Sequence, residues 1–378
     1  MPNEVIKLSI GGQVHADWTD FEVDSDYLTP ADAWQVTLGP AANVLPAEVF
    51  PGQRCQLFLG NDLVMTGRID EVRDAVSKGS RSFHLSGRDN AAVLIDCSAP
   101  VFVAKQVSLE DIVAKIVKPL GIDAVRLDAK AVGTRDKVNV EPGDSAWDAL
   151  VHAAEANGLW AWCEPDGTLV VGGPDYDVPI AATLILRTSG KGNNVASFEQ
   201  SKSVHKRFSN LTVLGQTHGT RTETGKHSLK AAVADADLGT SLALGGVYWT
   251  RPKIAIDHEA DSEALCRDRA RKLLADGRMA SYTLTARVHG FRVDDGRPWA
   301  PGMRVQVVSE PHGINAPMFV MGRKFQGGRE QSGMTTLTLK EDRAWVLDAR
   351  PHKNKHRRGK NSLPAQVVDV APLVRGNK

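Results

Sequence analysis

Tyr282-Thr-Leu-Thr-Ala-Arg-Val-His289 opens the stretch that decides the fold. It continues through Trp299-Ala-Pro-Gly-Met-Arg-Val-Gln306 and Phe319-Val-Met-Gly-Arg323, and ends at Thr336-Leu-Thr-Leu-Lys-Glu-Asp342. The first ninety residues say nearly the same thing: Trp34-Gln-Val-Thr-Leu38, Phe50-Pro-Gly-Gln-Arg-Cys-Gln56, Val64-Met-Thr-Gly-Arg68 and Phe83-His-Leu-Ser-Gly-Arg-Asp89. Four landmarks recur in one order: an alternating strand, an aromatic before Pro-Gly, a Met-Gly-Arg-like strand, and a strand ending in Asp. Alternation puts one side of each strand in a core and the other in water. Pro-Gly fixes one φ and then tolerates a positive one, which turns the chain between strands. Gly67 and Gly322 sit inside strand patterns, where a missing side chain marks a bulge or a tight bend. Upstream, Trp18-Thr-Asp-Phe-Glu-Val-Asp24 parallels Trp249-Thr-Arg-Pro-Lys-Ile-Ala-Ile-Asp257. The reading is two copies of one small β-barrel, since closure removes exposed strand edges.

Between the copies the period changes. Ser108-Leu-Glu-Asp111 is a capping-box-like start, and Leu109, Ile112, Val113, Ile116 and Val117 form one apolar face that Pro119 ends. A second helix opens near Gly143-Asp-Ser-Ala-Trp147, with Ser145 as its cap, and closes at Asn157-Gly158. Two strands then flank the turn Pro165-Asp-Gly167. Further on, Asp261 to Gly277 reads as a surface helix with Gly277 at its end, and Thr217 to Lys230 as a long loop. The expected fold class is therefore α+β, mainly β. Residues 1–97 form the first barrel, 98–194 an α/β module, 195–347 the second barrel with a surface helix, and 348–378 a basic flexible tail.

At 378 residues the chain exceeds one typical core. No apolar run approaches the ~18 residues of a membrane span, and Met1-Pro-Asn-Glu-Val5 has no secretion-signal pattern. Cys55, Cys97, Cys163 and Cys266 are scattered as free thiols of a reducing compartment would be. The net charge of +1 hides an asymmetry. Residues 350–378 hold eight of the 46 basic residues and one of the 45 acidic ones, so the body carries a net of −6. An acidic body argues against a duplex-gripping surface. The basic positions Arg350, Lys353, Lys355, Arg357, Arg358 and Lys360 have no acid among them, and are the candidate docking site for a partner.

Catalytic motifs fail on their required context. Gly219 to His227 resembles a phosphate loop, but has one residue too many between its glycines and His227 where a magnesium-holding hydroxyl belongs. Ser145 lacks the final glycine of a nucleophile elbow. Neighbouring Asp257, His258, Glu259 and Asp261 diverge if extended, and His152 with Glu155 are two ligands rather than a site. The tryptophans, Trp18, Trp249 and Trp299 among them, read as core. No catalytic, metal or cofactor residue is expected.

Gly143-Asp-Ser-Ala-Trp-Asp-Ala-Leu150, Gly158-Leu-Trp-Ala-Trp162, Asp166-Gly-Thr-Leu-Val-Val171, Asn210-Leu-Thr-Val-Leu-Gly-Gln216 and Trp299-Ala-Pro-Gly302 carry a resemblance. In their order they resemble the baseplate hub proteins of contractile-tailed phages, Mu-like ones above all, and the related spike-complex proteins of type VI secretion. The resemblance covers most of residues 1–347. It implies a virion tail protein assembled in the host cytoplasm, a homotrimer whose two barrels per subunit alternate into a six-barrel ring. Such a ring joins a trimeric spike to a hexameric tail tube and other baseplate components, and lets genome DNA pass without specific binding or membrane insertion. The competing reading is a cell-wall hydrolase or a carbohydrate-binding module of a tail.

Overall fold

The computed structural model describes residues 4–16, 18–38, 49–100, 103–128, 135–139, 143–155, 159–216, 225, 228–235, 238, 250–257, 260, 262–341 and 367–369. The chain divides into two compact units. One holds residues 1–198, 285–339 and 359–378, the other residues 199–284 and 340–358.

Most strands join one 13-stranded sheet, in which the expected duplication is visible as a repeated strand order. The first set runs Asp20–Asp26, Ala33–Leu38, Ser80–Asp89, Asp62–Ser77, Arg54–Leu59, Ile6–Ile10. The second runs Val195–Lys202, Tyr282–His289, Met334–Glu341, Ile314–Gly327, Arg304–Ser309, Ile180–Leu186. Six positions match six. The last one reverses direction: Ile6–Ile10 lies antiparallel to its neighbour, whereas Ile180–Leu186 lies parallel. The alternation read in the sequence fills a core from one face, with Leu8, Leu57, Phe83 and Leu85 in the first set and Val305, Val307, Phe325 and Leu337 in the second, all nearly solvent-free. Trp18 and Trp299 are buried as core residues, and the Trp18 indole N–H donates to Ile6 O at 2.7 Å.

The same pairings correct several expectations. Among the described residues no pairing closes either set on itself. The two sets are joined instead, Asp20–Asp26 lying antiparallel along Gly322–Gly327. Strand Ile180–Leu186, read as part of the middle module, belongs to the second set. The strand counterpart of Asp20–Asp26 is Val195–Lys202, not the segment after Trp249, which itself lies outside the described residues. The Met-Gly-Arg echo is also out of step. Gly52 N–H donates to Ile69 O at 2.7 Å and Gly302 N–H to Val320 O at 2.9 Å. Counting from these matched turns, Arg68 corresponds to Phe319, and Arg323 to Val72. Gly67 does mark a close approach, since a Cβ there would strike the Arg88 backbone.

The middle module packs helices Leu109–Val117 and Ala146–Glu155 against strands Ala124–Leu127, Trp160–Cys163 and Leu169–Gly172. Ser108 caps the first helix reciprocally with Asp111, and Ser145 Oγ accepts from Asp148 N–H at 3.0 Å. Ser145 is thus a cap. Within the expected flexible tail, Val367–Asp369 is a strand, antiparallel to Ala124–Leu127. The surrounding basic composition conceals this strand in the sequence.

The second unit is a three-stranded sheet of Leu229–Ala234, Asn210–Gly215 and Pro252–Ile256, covered by helix Glu263–Ser281. Leu211, Val213, Ala231, Cys266 and Ala270 form its core. Gly277 lies inside the helix rather than at its end. A Cβ there would come within 2.6 Å of Lys206 O, so the glycine admits a neighbouring backbone. Asp235, 1% exposed, accepts from Arg207 at 2.8 Å and Arg278 at 2.9 Å. Burial works to raise its pKa, but the two guanidinium bonds outweigh that and lower it.

Candidate functional site: the joint between strand sets

The polar chemistry of the first unit concentrates where the two strand sets meet. Asp20-Phe-Glu-Val-Asp-Ser-Asp26 alternates, so Phe21 and Val23 enter the core while Glu22 and Asp24 face outward. On the facing strand, Lys324 Nζ bonds Glu22 Oε1 at 2.6 Å, and Gln326 Nε2 donates to Glu22 Oε2 at 2.9 Å. Arg323, 5% exposed, donates to Val23 O at 2.8 Å and Val64 O at 3.3 Å, with its guanidinium over the Phe325 ring at 4.2 Å. Burial lowers its pKa to about 10, partly offset by the charges of Asp32 and Asp24, so it stays protonated at neutral pH. A second clasp is Arg292, which bonds Glu4 and Asp62 and donates to Leu59 O at 3.0 Å.

Asp32 and Asp24 lie near enough to Arg323 to act on its charge, and Asp89 lies next to both of them. Asp24 Oδ1 accepts from Ala33 N–H at 2.6 Å, and Asp32 Oδ1 from Asp26 N–H at 2.8 Å. Asp89 accepts from Ala91 N–H at 2.8 Å and Asp32 N–H at 3.2 Å. Burial pushes Asp32 up to about 7; burial and then the Asp32 charge push Asp89 up to about 8. Raised carboxylates of this kind invite an acid/base reading. Here each carboxylate accepts from turn N–H groups that hold the ends of three strands, and Asp89 does so with both oxygens, a geometry that orients backbone. Asp89 is one of the landmarks of the sequence repeat. Asp32 carries no such signal in the sequence beyond its place after the Pro30 turn.

Aromatic side chains seal the joint. Tyr27 meets Trp162 edge-on at 5.0 Å between centroids and stacks on Phe319 at 6.4 Å. A Cβ on Gly302, whose φ is +89°, would come within 2.7 Å of Tyr27 Oη. The Pro-Gly landmark of one set thus seats a tyrosine of the other.

The six tail residues Arg350, Lys353, Lys355, Arg357, Arg358 and Lys360 lie outside the described residues, as do His258, Glu259, Asp261 and most of the Gly219–His227 segment. Asp257 is 3.9 Å from Arg269. His152 and Glu155 share one helix. Among the described residues no three His, Cys, Asp or Glu side chains gather as metal ligands, and no helix is long and apolar enough to cross a membrane.

Four family models match the chain in succession. They are a Mu phage baseplate assembly protein GpP-like N-terminal domain over residues 5–89, the second domain of baseplate hub protein gp44-like proteins over 91–173, the third domain of NMB1110-like tail proteins over 207–274, and a tail-protein C-terminal domain over 276–344. The chain is 24% identical over 368 residues to the baseplate hub protein gp44 of Escherichia phage Mu, covering 95% of this chain and 93% of that one. It resembles the solved tail protein from Neisseria meningitidis MC58, with a TM-score of 0.80 and 37% identity, over 92% of this chain and all of that one. The 43 kDa tail protein of prophage MuSo2 from Shewanella oneidensis shares the fold, with a TM-score of 0.77 and 22% identity, over 90% and 100% of the two chains. So does E. coli c3393, described as a component of the type VI secretion system, with a TM-score of 0.56 and 15% identity over 88% and 76%.

Proposed function

This chain belongs to the phage baseplate hub and tail-protein family, and on that premise we propose that it works as a homotrimeric, pseudo-sixfold ring. It is a structural component of a phage tail baseplate. In the proposed ring, three chains contribute two strand sets each. One side then matches a trimeric spike and the other a hexameric tail tube, around a passage for the genome. The carrying observation is the repeated strand order, six positions against six. Two equivalent modules in a threefold assembly generate six equivalent places, which one module per chain does not. The acidic body supports a passage that does not hold DNA.

The reading includes the absence of catalysis. Asp32 and Asp89, whose raised pKa values most resemble catalytic groups, accept from backbone donors, Asp32 through Oδ1 and Asp89 through both oxygens. The basic segment from Arg350 to Lys360 docks on an acidic neighbouring tail component, in a particle assembled in the host cytoplasm. Light scattering coupled to gel filtration tests the ring, with an expected mass of three chains; electron micrographs of the same fraction then show an annulus. A monomer in both free and spike-bound fractions refutes it. Deleting residues 349–378 tests the tail: the trimer forms, and tail assembly fails. Normal infectious particles from the truncated chain refute docking.

A further inference from the structure

The joint inside the chain has two unfilled counterparts. Strand Ile314–Gly327 receives Asp20–Asp26 along Gly322–Gly327. The matching strand of the first set is Asp62–Ser77, and the matching strand of the second set to Asp20–Asp26 is Val195–Lys202. The latter ends the sheet, pairing among the described residues with Tyr282–His289 alone. The outer half of Asp62–Ser77 is exposed from Asp70 onward apart from half-buried Val72, and Val76 is 72% exposed.

Register sharpens the match. Ile69 corresponds to Val320, as the Pro-Gly turns fix. Just beyond, both strands switch faces. In the first set Gly67 stands opposite core Cys55, then, past the shift at Ile69/Glu71, Val72 and Asp74 stand opposite core Leu85 and Phe83. In the second, Met318 stands opposite core Val305, then Phe325 and Gly327 stand opposite core Val23 and Phe21. Val72, Arg73, Asp74 and Val76 therefore correspond to Arg323, Lys324, Phe325 and Gly327. On the other side, Phe21-Glu22 recurs as Phe198-Glu199. Within the chain Glu22 bonds Lys324. The same register sets Glu199 beside Arg73 and Phe198 against exposed Val76.

Resting on the ring reading, we propose that strand Val195–Lys202 of one copy adds antiparallel to Glu71–Val76 of the next, repeating the internal joint between chains. The occupant of each open edge is thus a second copy of this protein. An edge strand left unpaired is a template for another chain. Here two edges of the same parentage match at one charge pair, Glu199 with Arg73, which within the chain bonds Glu71 at 3.0 Å, and at one apolar pair, Phe198 with Val76. Because the two edges differ, the contact is head-to-tail, the kind that closes into a ring or runs into a filament.

The test reverses the charges. Arg73→Glu and Glu199→Arg alone each weaken self-association at least about tenfold by light scattering, and the double swap restores it to within about threefold, as paired rim charges do. Circular dichroism of each variant checks that the chain is folded. Ala75→Cys with Glu199→Cys, placed directly opposite in this register, gives covalent oligomers on oxidation of the purified full-length protein. Single reversals that leave association unchanged, a swap that does not restore it, or no covalent oligomer overturn the joint. So does a wild-type chain that stays monomeric at millimolar concentration. A charge-sensitive oligomer of other than three chains keeps the joint and refutes the trimer. A trimer indifferent to both charges keeps the ring and refutes the joint.

Discussion

Replacing Arg323 by Met tests whether the internal joint is held by a buried guanidinium. Met fills much of the arginine's volume, so the perturbation is chiefly polar. Two carbonyls, Val23 O and Val64 O, lose charged donors at 2.8 and 3.3 Å in a place with almost no water. Leaving a buried acceptor unsatisfied costs about 1–3 kcal/mol. Asp24 and Asp32 also lose a nearby positive charge, which Asp32 partly absorbs by staying protonated. The relief of no longer burying a cation works the other way. The net expectation is a loss of about 3 kcal/mol, read as a lower urea midpoint with an unchanged slope. Arg68→Met is the control. Arg68 follows the same Gly in the sequence echo, yet it is exposed, and among the described residues its side chain donates to Gly52 O. Its loss should stay under about 1 kcal/mol. If the two variants lose the same stability, or Arg323→Met loses under about 1 kcal/mol, the buried arginine does not hold the joint.

Two further outcomes follow from buried groups. Asp89 has a folded pKa of about 8 against an unfolded 3.8, so the folded state holds the extra proton between those values and stability falls as pH rises through that window. Asp89→Asn removes one of two titrations in that window, Asp32 being the other: the Asp89 share of the wild-type loss between pH 5 and 8 is on the order of 3 kcal/mol in urea titrations, and the variant's profile is flatter by about that amount. Gly277→Ala should destabilise, although Ala is the better helix former by about 1 kcal/mol, because its Cβ has no room against Lys206 O; a raised melting temperature contradicts that contact.

Local features were legible and distant ones were not. The Ser108 box with Asp111, the Ser145 cap and the Pro165-Asp-Gly167 turn each involve residues three or four apart, so their chemistry is written in the string itself. The duplication was legible because alternation and Pro-Gly turns repeat in order. Its register was not. Two extra residues lie in the Glu310–Gly313 turn, and the shift at Leu57/Phe58 lies in the other copy, so equal letters fall at unequal places. Arg68 and Arg323 share a sequence context and have opposite surroundings. The joint itself pairs residues some three hundred apart, Glu22 with Lys324 and Val23 with Arg323, which no window along the chain brings together.

The divergence of the two matched edges has a physical reason. The inner joint is covalently guaranteed, so its strand carries Arg323, Phe325 and Gly327 into a dry core and uses a buried guanidinium. The matching positions on the open edge are Val72, Asp74 and Val76, with Arg73 between them, and Asp74 is held by Arg81 at 2.6 Å on the surface. An edge that stays in water until a partner arrives needs charges that keep it soluble, and charged edge residues discourage pairing with the wrong strand. A buried arginine there would stand unpaired before assembly, at the cost of an unsatisfied cation. Surface pairs of the Arg73 kind contribute little stability alone but select the partner and its register. The same strand position therefore carries a fixed bolt inside the chain and a selective contact at its edge.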